Sequence, residues 1–75
     1  MNIKDKIFYA INDKGRDSVT KVYLTILDEA YLEQYIVEEV GGELAGQTML
    51  HGARKVLPTL LGKQVVWDSK EFKVE

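Results

Sequence analysis

The groups in this chain that could do chemistry are one imidazole, a block of six carboxylates, and a helix-like stretch carrying bases beside amide and hydroxyl side chains. His51 is the only histidine. As a general base it would need a nucleophile and an orienting carboxylate. The two serines, Ser18 and Ser69, fall in expected turns or caps, and no acid lies in the stretch around His51. The chain has no cysteine, which removes thiolate nucleophiles, disulfides and cysteine-based zinc sites together. Carboxylates that might join His51 around a metal show no ligand spacing. The expectation is a non-enzymatic protein with no metal and no cofactor, and His51 exposed on a helix.

Gly41-Gly42-Glu43-Leu44-Ala45-Gly46-Gln47-Thr48 has the glycine spacing of a phosphate-binding loop. That mechanism needs a lysine before the threonine to reach the phosphates, and a strand before the loop. Here Gln47 takes the lysine position and a helix-like segment precedes, so the stretch reads as an inter-helix turn.

The charges are segregated. Residues 28–43 hold Asp28, Glu29, Glu33, Glu38, Glu39 and Glu43 without a base, whereas residues 44–67 hold Arg54, Lys55 and Lys63 without an acid. Residues 1–27 carry five bases and three acids, and the overall charge is −2, which gives no global field to steer nucleic acid. The acidic block reads either as a solvated helix face or as a surface for a basic groove on a partner, through Glu33, Glu38 and Glu39. Six acids are too few for mimicry of a nucleic acid, and nothing implies the cleft that paired-carboxylate hydrolysis requires.

Seventy-five residues, 45% of them apolar and 29% charged, describe one ordinary globular domain over 1–75. No apolar run reaches the ~18 residues of a membrane helix, and the N-terminus has no apolar signal-peptide core. These features suggest a cytoplasmic protein without a membrane.

The elements that must position these groups follow from periodicity. Ile3, Ile7, Ala10 and Ile11 predict a helix from Asn2 to Asp13, capped by Asn2 and stopped near Gly15, against a competing strand over the β-prone IFYAI. Residues 18–27 read as a strand. Residues 29–40 read as a helix with Asp28 as N-cap, Leu27 as a staple on Leu32, and Gly41-Gly42 as its end. A third helix is expected from about Gln47 to Leu61, with Met49, Leu50, Ala53, Val56, Leu57, Leu60 and Leu61 on one side. Its other side gathers Gln47, Thr48, His51, Arg54, Lys55 and Thr59, and Pro58 sits awkwardly within it. Gln64–Trp67 and Glu71–Val74 read as a hairpin turning at Asp68–Lys70. The expected core is Leu32, Ile36, Val40, Leu50, Ala53, Leu57 and Trp67. Val37 and Tyr31 would leave an apolar patch that a homodimer contact would explain.

This order, α-β-α-α-β-β in an α+β domain, resembles that of the winged-helix DNA-binding fold. The resemblance covers most of the chain and lies in element order rather than in a sequence motif. It implies a third helix in the major groove of double-stranded DNA and a C-terminal wing along the backbone. Gln47, Thr48 and His51 would then meet base edges, Arg54 and Lys55 bases or phosphates, and Lys63, with Lys70 and Lys73, would lie near the wing. The function implied is transcription regulation by a small DNA-binding protein, with a dimer binding better than a monomer. If residues 3–12 are instead a strand, the fold becomes ββααββ with a four-stranded sheet. That form suits a small inhibitor or adaptor of the phage or mobile-element type, binding a protein partner through the acidic helix.

Overall fold

The first helix forms where its isoleucine spacing places it. In the computed structural model, which describes residues 2–75, α1 spans Ile3–Lys14 and buries Ile3, Ile7 and Ile11. The Asn2 side chain accepts a hydrogen bond from the Asp5 amide at 2.8 Å, and Gly15, at φ +105°, ends the helix. The strand alternative for residues 3–12 therefore falls, although a four-stranded sheet is present, built from other segments.

After a 3₁₀ turn at Arg16–Ser18, β1 covers only Lys21–Tyr23, shorter than the expected strand over 18–27. Local capping explains the difference. Thr25 caps α2, Ile26–Tyr35, and its hydroxyl accepts from the Asp28 amide while the Asp28 carboxylate accepts from the Thr25 amide, both at 3.0 Å. This reciprocal box draws Ile26 and Leu27 into the first turn. Asp28 is thus the third residue of the helix and not its cap, and Leu27, 61% exposed, is no buried staple. The helix runs on through Ile36–Val40 as a π-helix, counted with α2 below and closed by the Gly41 amide donating to the Ile36 carbonyl at 2.9 Å.

The third helix departs most from expectation. α3 spans Gly42–His51, so the glycine-rich stretch is helical rather than a turn. Gly52, at φ +86°, then breaks the chain, and a single turn, α4, follows at Ala53–Val56. Leu57 precedes Pro58 and is driven to extended backbone, φ −116° and ψ 90°, which ends any helix there. A stripe computed for one continuous helix over 47–61 loses its register across Gly52. Ala45 and Thr48 are buried, whereas Met49 and Leu50 are 69% and 76% exposed. Thr48 therefore leaves the expected polar face and Leu50 leaves the expected core.

The strands add β2 (Thr59–Leu60), β3 (Lys63–Val66) and β4 (Lys73–Val74), ordered β2-β3-β1-β4. β1 runs parallel to β3 and antiparallel to β4, while β2 and β3 form an antiparallel hairpin. Its two-residue turn is Leu61-Gly62, both at positive φ (51° and 78°), as such turns require. The expected hairpin between Gln64–Trp67 and Glu71–Val74 does not form, because β3 and β4 lie on opposite sides of β1. The winning constraint is non-local: β1 supplies two free edges, and each segment takes one.

The domain is α+β. Val19, Val22 and Leu24 are its most deeply buried large side chains, packed with the α1 isoleucines, Leu32, Ile36, Ala53 and Val65. Leu32, Ile36 and Ala53 bear out the expected core. Leu57 and Trp67 are partly buried against it, and Val40 is half exposed. No helix among the described residues is long and apolar enough to cross a membrane.

Leu24→Ala should therefore lower the free energy of unfolding by about 2–5 kcal/mol, whereas Leu50→Ala should stay within about 0.5 kcal/mol of the parent. Urea unfolding of both variants checks this. A larger loss at Leu50 than at Leu24 would reverse the assignment of the core.

Candidate functional site

Helix α2 carries the largest concentration of functional groups, and it sorts them by position. Its first turns hold Asp28, Glu29 and Glu33, each aimed at a different neighbour. Asp28, 3% exposed, accepts from Lys6 Nζ of α1 at 2.8 Å. Glu33 accepts from the Ala53 amide at 2.9 Å and so caps α4 from across the structure. At Gly52 a φ of +86° favours glycine, and a Cβ would stand 3.3 Å from that carboxylate, which would have to give way by a few tenths of an ångström.

Glu29 meets Arg54 of α4 in a two-pronged contact, with Nη2 at 2.6 Å and Nε at 2.9 Å. The same guanidinium grips Asp68 through Nη2 at 2.8 Å and Nη1 at 3.0 Å, and its centre lies 5.5 Å from the Trp67 ring centroid. Bidentate guanidinium–carboxylate pairs are among the stronger charge-assisted hydrogen bonds, and here two share one arginine. Hydrogen bonds to Glu29 and then Asp68 raise the Arg54 pKa further, while the Arg54 hydrogen bond holds the Asp68 carboxyl below the usual carboxylate range. Asp68 itself sits at φ +58°, a backbone angle uncommon outside glycine.

The residues expected to read DNA are thus divided. Arg54 is engaged on two sides by carboxylates. Thr48 is buried, its hydroxyl donating to the Leu44 carbonyl at 2.8 Å. Lys63 Nζ donates to the Arg16 carbonyl at 2.7 Å from β3. Gln47 and His51 on α3 and Lys55 on α4 are exposed, but the break at Gly52 separates them into two elements.

The expected partner-binding acids divide too. Glu33 is occupied by α4, whereas Glu38 and Glu39 are exposed on the π-turn. Gln34 Nε2 donates to both Glu38 oxygens at 3.4 Å, one helical turn away. Around this end of α2 the surface is apolar as well as acidic. Val40 and Met49 are exposed, and Met49 lines a shallow depression with Val37 and Glu38. Nearer the start of the helix, Ile26, Leu27 and Tyr31 are also exposed. Sequence reasoning missed the Glu29–Arg54–Asp68 cluster and the Leu50 exposure. The signal for the cluster was present: an all-acidic block followed by an all-basic one invites pairing between them.

A deeper groove, of about 450 Å³, runs between α1 and α2 and is lined by Ile3, Lys6, Tyr31, Tyr35, Glu38 and Glu39 among others. No group of three or more metal-ligating side chains occurs among the described residues.

Asp28 offers a pH test of the α1–α2 contact. Burial alone would push its carboxyl up, but hydrogen bonds from Lys6 and Thr25, with the Lys6 charge, hold it below its ordinary value. A carboxyl lowered on folding stabilises the native state above the unfolded pKa, about 3.9, and loses that contribution as pH falls through the folded value. Asp28→Asn should cost on the order of 1–3 kcal/mol at pH 7, and the gap from the parent should shrink as the pH drops below about 4. Unfolding curves at pH 7 and pH 3 measure it, and an equal gap at both would refute it. Compared with protein-family models, curated proteins and solved structures, the chain matches none.

Proposed function

We propose that this is a non-catalytic protein-binding module, an inhibitor or adaptor that engages its partner through the C-terminal half of α2 and the adjoining surface of α3. The observation that carries the reading is the unequal use of the acids. Asp28, Glu29 and Glu33 are consumed by internal contacts, whereas Glu38 and Glu39 face solvent beside exposed Val40, and Met49 lines a depression with Glu38. Solvation alone does not require large aliphatic side chains next to carboxylates. Protein interfaces combine an apolar centre with a polar rim, and methionine is enriched in them. A cytoplasmic setting and the absence of catalysis are part of the same proposal, supported by a chain that relies on no cysteine and has an exposed, isolated His51.

The DNA-binding, winged-helix reading retains three exposed side chains, Gln47, His51 and Lys55, with net charge −2 working against nonspecific attraction. Its strongest cation, Arg54, would have to leave two carboxylates to reach a phosphate. One comparison separates the readings. Affinity capture at moderate salt should recover a saturable protein partner with the parent and lose it with E38K/E39K, while Lys55→Ala has no effect. Duplex DNA at low salt should show no saturable complex. A saturable DNA complex weakened by Lys55→Ala, with capture indifferent to E38K/E39K, would instead establish DNA as the partner.

A further inference from the structure

We propose that the groove between α1 and α2 receives a cationic side chain, arginine above all, from the protein partner; this rests on the protein-binding reading. The groove's volume, about 450 Å³, falls within the range of side-chain and small-molecule pockets. Its α2 wall is built from one helical face: Tyr31, Tyr35 and Glu39 are spaced four apart, and Gln34 and Glu38 follow the same spacing beside them. Two tyrosines supply aromatic surface that a guanidinium can stack on, and two carboxylates supply its counter-charge.

The charge balance of the lining favours a cation. Lys6 and Asp28 neutralise each other at 2.8 Å, and the Lys6 ammonium also lies 4.4 Å from the Phe72 ring centroid. Glu38 and Glu39 have no basic partner among the described residues, and the neutral Gln34 amide steadies Glu38 without cancelling its charge. The π-turn at Ile36–Val40 alters the angular spacing of the last side chains of α2. Such turns occur frequently at functional sites. Tyr31, 51% exposed, lines this groove one helical turn after exposed Leu27, so a partner segment could set an aliphatic residue beside its cation.

The test is an amide-shift titration of the whole chain with N-acetyl-arginine methylamide, and with the norleucine equivalent as an uncharged probe of similar reach. Saturable shifts should centre on Tyr31, Gln34, Tyr35, Glu38 and Glu39 with the arginine probe and be absent with norleucine. E38Q/E39Q should weaken binding about three- to tenfold, and Tyr31→Ala about two- to fivefold. These side chains are exposed, so both variants should keep the parent spectrum elsewhere. Shifts spread equally over Glu43, Glu71 and Glu75, or equal responses to both probes, would overturn the groove. Loss of partner capture in E38K/E39K without arginine binding would overturn the groove alone and leave the protein-binding reading standing. Arginine binding at the groove with partner capture unchanged by E38K/E39K would overturn the partner assignment.

Discussion

Three carboxylates of α2 each tie it to a different distant segment of the domain. Asp28 fastens α1, Glu29 fastens α4 and through Arg54 the loop after β3, and Glu33 caps the chain where α3 stops. A chain of this size buries only about 60% of the surface its unfolded form exposes, and its sheet is made of strands two to four residues long. Apolar packing of Ile3, Ile7, Ile11, Leu32 and Ile36 on Val22 and Leu24 supplies the core, while Ile26, Leu27, Tyr31 and Val40 on the outer side of the same helices stay exposed. Charged contacts between distant segments add fixed points to that packing. Asp28 is the extreme case: its carboxylate is buried while Lys6 is half exposed, so removing Lys6 would leave the buried charge without its partner.

That use of the acids shapes the surface. An acid-rich helix would ordinarily be a solvated face, yet here the acidic character survives only toward the C-terminal end. The same contacts take Arg54 out of the basic set expected to read DNA. The break at Gly52 completes the division: it lets Glu33 approach the Ala53 amide, and it removes the continuous helix on which a base-reading face would lie. In the proposed reading, stability occupies the first half of α2 and recognition the second.

Much of this was legible locally. The isoleucines at 3, 7 and 11, the Asn2 cap and the Gly15 stop describe α1 correctly because each acts within a turn or two. Leu32 and Ile36 likewise declared the inner face of α2. The failures share a cause, which is competition between signals of similar strength. Thr25 outcompeted Asp28 as the cap because the pair can form a reciprocal box. Gly52 stops the helix within an apolar stripe that continues in sequence to Leu61, so the stripe mixes two registers. Leu61-Gly62 made the hairpin turn instead of residues 68–70, although a leucine at positive φ is a poor advertisement for a turn. For the candidate site, Glu38 and Glu39 were named from charge alone, but their separation from Glu33 depends on contacts 20 or more residues apart, which no local pattern encodes.

The most direct measurement is equilibrium unfolding of two double variants, E29Q/E33Q and E38Q/E39Q, beside the parent at neutral pH and low salt. If α2 divides its acids as described, E29Q/E33Q unfolds at clearly lower urea, while E38Q/E39Q unfolds at the parent midpoint or above it, because exposed like charges are neutralised. Equal destabilisation by the two pairs, or a greater loss from E38Q/E39Q, would contradict the account.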